Sequence, residues 1–94
     1  MNRHRAIWQL TELADHLKTV VSEIESGRYD VDGDLSYQVA LAHLMDHLVL
    51  AWHYAQMPDE QIDALTQEQF EQLTDAIPKL GIEQRLVELW EKVV

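Results

Sequence analysis

The chain contains no cysteine, so disulfides, zinc ribbons, CxxC redox chemistry and a thiol nucleophile are all excluded. Glycine and proline are scarce, at three and two residues. Three glycines in three separate places make no phosphate-cradling loop. The longest uninterrupted apolar run is Leu48-Val49-Leu50-Ala51-Trp52. A membrane span needs about 20 residues, so none is expected. The opening MNRHRAIWQLTE is basic but has no apolar stretch behind it, which argues against a secretory signal. A cytoplasmic location is the expectation.

Basic residues are also few, and they are unevenly placed. No Lys or Arg occurs between Arg28 and Lys79, while ten acids do, and the net charge of the chain is −10. Binding to a phosphate backbone displaces counterions with Lys and Arg, so no nucleic-acid partner is expected. The acidic middle would instead favour a basic protein partner. Asp59, Glu60, Asp63, Glu68, Glu71 and Asp75 are the candidate contacts.

The 94 residues allow one domain, with 47% apolar residues to build its core. The apolar spacing is helical throughout, and no segment alternates with period two. Ile7, Leu10, Ala14, Leu17, Val21 and Ile24 form one stripe, widened by Leu13 and Val20, and predict a helix over about 3–26. Ser26-Gly27 supplies its stop. The loop RYDVDGD follows, with Asp34 or Ser36 as the next N-cap. Its Asp30, Asp32 and Asp34 match the start of a calcium loop, but Leu35 and Leu41 stand where that loop needs Gly and Glu.

A second helix is predicted over about 35–57, with Leu41, Leu44, Met45, Leu48, Trp52 and Ala55 as its core stripe, Val49 and Ala42 broadening it. Pro58 ends it and opens a short helix over 58–64. Thr66-Gln67-Glu68-Gln69 forms a capping box for a helix over 67–77, and a last helix is expected over 82–93. These elements predict an all-α fold: a small antiparallel helical bundle of two long helices and two or three shorter ones.

The segment AHLMDHLVLAWHY holds three of the five histidines. At about 100° per residue, His43, His47, His53 and Asp46 all fall on the polar side of the second helix. His43 and His47 stand at i,i+4, the spacing that lets two imidazoles reach one ion, with Asp46 as an adjunct. His53 lies about 15 Å further along the axis and cannot join them. Glu12 and His16 form an equivalent pair on the first helix. If both apolar stripes face one core, these two polar pairs point away from each other, and a complete site needs a second chain. HExxH and the helical Glu-x-x-His motif are absent, and no nucleophile elbow is present.

Trp8 falls opposite the stripe of the first helix, as an outward aromatic that suggests a partner surface. Together these features predict a non-enzymatic protein without a cofactor, acting through protein–protein contact, regulatory, inhibitor-like or adaptor in kind, and homodimeric. The alternatives are metal binding at His43, Asp46 and His47, and a histidine pH switch.

Overall fold

The computed structural model describes residues 1–75 and 91–92. Within residues 1–75 five helices follow one another: α1 (Arg3–Glu25), α2 (Arg28–Asp32), α3 (Asp34–Ala55), α4 (Asp59–Asp63) and α5 (Gln67–Asp75). No strand occurs among the described residues, and the fold is the expected small all-α bundle with two long helices packed together. Among the described residues no helix is long and apolar enough to cross a membrane. The helix expected over 82–93 and the end of the one over 67–77 lie outside the described residues, apart from 91–92.

The two long helices run antiparallel. The start of α1 meets the end of α3, where the Asn2 amide donates to the Ala55 carbonyl at 2.7 Å. Further along, Gln9 meets His47 and His16 meets His43. The connection between them is shaped by two glycines in the left-handed region, Gly27 at φ 79° and Gly33 at φ 92°. Gly27 closes α1 as expected. Between the glycines the chain makes the single turn α2, where a loop was expected. Arg28 holds that turn by pairing with both Glu23 and Asp32. Gly33 occupies the N-cap of α3, so neither Asp34 nor Ser36 caps it, and Asp34 is its first residue.

Downstream, Pro58 precedes α4 in extended conformation. The capping box forms in full: the Gln69 amide donates to Thr66 Oγ1 at 3.2 Å, and the Thr66 amide donates to Gln69 Oε1 at 2.9 Å. Such a cap contributes about 1 kcal/mol and fixes where α5 begins. The α4–α5 arm packs on one flank of α3. Ile62 meets Leu50 and Tyr54 there, with Met57, Leu65, Phe70 and Leu73 around them.

The apolar stripes do not face each other, which corrects the central packing expectation. On α1, Ile7, Leu10, Ala14, Leu17, Val21 and Ile24 are exposed, and on α3 so are Leu41, Ala42, Met45, Leu48 and Trp52. Leu48 keeps 56% of its surface and Trp52, expected in the core, keeps 43%. The α1–α3 seam instead uses the edges of the stripes. Val20 and Gln9 are buried on α1 and Leu13 is half-buried; Leu44, Ala51 and Ala55 are buried on α3. Small alanines on the seam let two backbones come close, and that contact turns each stripe sideways onto a common face of the hairpin.

Candidate metal centre

The same rotation carries the polar faces of α1 and α3 together. His16 comes from the middle of α1; His43 and His47 come from successive turns of α3. Their ring centroids lie 4.5 Å (His16 to His43), 5.1 Å (His16 to His47) and 4.8 Å (His43 to His47) apart. One ring nitrogen from each can be chosen so that all three lie within 4.8 Å of one another. A tetrahedral ion with bonds of about 2.0–2.1 Å sets its ligand nitrogens about 3.3 Å apart. Closing the remaining distance takes small rotations of the imidazoles.

His47 is the best-prepared member. Its Nδ1 lies 2.8 Å from Gln9 Oε1, and an amide oxygen accepts only, so Nδ1 carries the proton. Its Nε2 is buried and has no hydrogen-bond partner. In the neutral ring that atom holds the lone pair a metal requires. Gln9 is itself 6% exposed, the most deeply buried polar side chain among the described residues. A ligating histidine whose other nitrogen donates to a fixed oxygen is the usual outer-shell arrangement of metal sites. Burial lowers the His47 pKa below its ordinary 6.5, and the neighbouring His43 and His16 lower it further; Glu12 and Asp46 pull weakly the other way. The ring is therefore neutral at neutral pH.

The remaining groups take secondary positions. Glu12 Oε2 lies 3.6 Å from His16 Nε2, beyond a hydrogen bond but close enough for a charged outer partner. Asp46 stands outside the three converging nitrogens, and its charge is felt at His47. His53 is separate, as its spacing predicts, in a shallow groove beside Met57, Gln61 and Leu65.

The expectation that the two polar pairs point apart is thus overturned: His16 joins His43 and His47 within one chain. The signal for this was present in the sequence. Gln9, His16, His43 and His47 carry no fixed charge, and such residues tolerate a helix–helix seam better than the Asp, Glu and Lys expected on a fully solvated face.

The expected partner-binding residues fall into two groups. Trp8 is outward, 57% exposed, beside a cleft lined by His4, Arg5, Gln9 and Tyr54. Asp59 and Asp63 have internal partners. Arg5 reaches Asp59 at 3.1 Å and Asp63 at 2.8 Å, and His4 lies 3.1 Å from Asp59. Hydrogen bonding from Asn2 is the first cause of a depressed Asp59 pKa, with His4 and Arg5 adding to it against the cost of burial. Glu60, Glu68, Glu71 and Asp75 are exposed on the α4–α5 arm.

Fold and site together define a small helical protein with three histidines converging across an antiparallel helix pair. Comparison with known proteins returns no matching family model, curated protein or solved structure.

Proposed function

We propose that this protein binds one divalent transition-metal ion of the zinc, nickel or copper class at His16, His43 and His47. The observation that supports this most is the convergence of three imidazoles from two helices, one of them with a buried, unpartnered Nε2 and an anchored Nδ1. Imidazole nitrogens without thiolates suit those ions better than magnesium or calcium, which take oxygen donors. Three protein ligands leave a fourth position for water or for a group supplied from outside. The ion would also tie α1 to α3, so that metal loading and the stability of the hairpin are linked.

Thermal melting with and without zinc tests the proposal. Zinc at 100 times its dissociation constant adds about 2.7 kcal/mol to the folded state. For a domain of this size that raises Tm by roughly 10–20 °C. His16→Ala should melt at a temperature that zinc moves little. A wild-type melt unaffected by zinc, nickel and copper would overturn the reading.

A second reading, a non-enzymatic module acting by contact with another protein, draws on the outward Trp8 and on the exposed acids Glu60, Glu68, Glu71 and Asp75. Its support from charge is weaker than the sequence suggested, because Arg5 already neutralises Asp59 and Asp63. A basic partner would have to read the remaining acids of the arm.

A further inference from the structure

We propose that the exposed apolar face of α1 and α3 is the docking surface for a second copy of this chain, the two hairpins closing into an antiparallel four-helix bundle. The inference stands apart from the metal reading, since the histidines lie on the opposite side of the hairpin.

The two exposed stripes adjoin. Leu10 of α1 and Leu48 and Trp52 of α3 border one groove of about 580 Å³, together with Ala6, Ala51 and Ala55. The face therefore has ridges and a hollow in one surface. A two-fold operator can set the ridges of each copy into the hollow of the other.

Its size fits a dimer. Five large side chains of α1 and four of α3 point outward on this face, with exposures from 37% at Leu41 to 62% at Ile7. At roughly 200 Å² for a fully exposed large side chain, these nine offer on the order of 900 Å² per chain, against about 800 Å² per partner in a standard interface. A contiguous apolar patch above a few hundred Å² is uncommon on a monomer.

Its charge fits too. None of the nine positions is ionisable, while the chain as a whole carries −10. Two such chains repel except where an uncharged face lets them approach, and the acids of the α4–α5 arm sit on the other flank of α3. Pairing of antiparallel helix hairpins is the ordinary route to a four-helix bundle.

Sedimentation equilibrium of the full chain tests this. The expected mass is twice the 11.0 kDa of one chain. Leu17→Glu with Leu48→Glu should halve that mass while circular dichroism shows the helices retained. Trp8→Ala, on the opposite side, should leave the dimer intact. Because the charged variant could lose its fold, a second measurement uses Met45→Cys. The chain has no other cysteine, so its labelling rate reports that face alone. The rate should fall severalfold as protein concentration rises through the dimerisation range, while that of Lys18→Cys stays constant. A wild-type monomer at high micromolar concentration would overturn the proposal, whether the face is then covered by the chain's own residues beyond 75 or by another protein. So would a dimer indifferent to charge in this face, or a Met45→Cys rate independent of concentration.

Discussion

His47 of α3 donates from Nδ1 to Gln9 of α1 at 2.8 Å, across 38 residues of sequence. This one bond fixes the tautomer of the ring, leaves the lone pair on its buried, unpartnered Nε2, and ties the two long helices to each other. Replacing Gln9 by Leu keeps the side chain's volume and removes the acceptor. Loss of an outer-shell partner weakens metal affinity by about 10–100-fold. Without metal, the same change leaves a buried imidazole N–H unpaired and costs about 1–3 kcal/mol. Titration of the variant with zinc and a urea melt under chelator measure the two effects separately. Unchanged zinc affinity would show that the bond does not orient a ligand.

Acid should weaken the fold in two stages. The folded pKa of His47 is depressed below 6.5 by burial. The unfolded chain therefore binds this proton first as pH falls. The associated stability is present above about 6.5, declines as pH falls from there, and stops declining below the folded value. Repulsion from His43 and His16 adds to that depression, while Glu12 and Asp46 oppose it. Asp59 acts lower down. Its folded pKa is depressed below 3.8, chiefly by the hydrogen bond from Asn2. Its contribution is present above that value and is lost as pH falls through the folded one. Urea midpoints under chelator should drop between about pH 7.5 and pH 5.5. His47→Gln should flatten that part of the curve and leave the lower stage in place. A wild-type midpoint that rises over the same interval would contradict the burial of a neutral His47.

Asn2 is a small residue with a large structural role. Its backbone amide donates to Ala55, and its side-chain Nδ2 donates to the Met57 carbonyl and to Asp59 Oδ1, each at 2.9 Å. It pins the start of α1 to the corner between α3 and α4. Asn2→Ala removes the two side-chain bonds and should cost about 1–2 kcal/mol. That lowers Tm by roughly 4–16 °C in a domain of this size. Hydrogen exchange should show the loss at the Asp59–Asp63 helix before the centre of α3. A uniform loss across α3 would assign Asn2 a different role.

Much of the fold was legible in the sequence because it rests on local chemistry. Ser26-Gly27, Pro58 and the Thr66–Gln69 capping box mark helix ends through bonds made within a few residues, and those ends are where they were expected. The rotation of α1 against α3 was not legible. Periodicity reports that Ile7 through Ile24 share a face with each other. It does not report which neighbour that face meets. The seam was instead set by Leu13, Val20, Leu44, Ala51 and Ala55, at the edges of the stripes, together with Gln9 and His47. The spacing of His43 and His47 identified two candidate ligands. The third, His16, needed the antiparallel register, which depends on contacts across about 30 residues of chain. Arg5 likewise reached Asp59 and Asp63 only once the corner at Pro58 was folded.

Isothermal titration of zinc into the wild type and into His16→Ala tests the tri-histidine centre most directly. The i,i+4 pair His43 and His47 survives in the variant, so any binding due to that pair alone is retained as a baseline. Saturable binding of one ion per chain in the wild type, weakened at least about a hundredfold in His16→Ala, is the expected result; such a loss equals about 2.7 kcal/mol. Equal affinity in the two proteins, or no binding in either, would contradict a site built across α1 and α3.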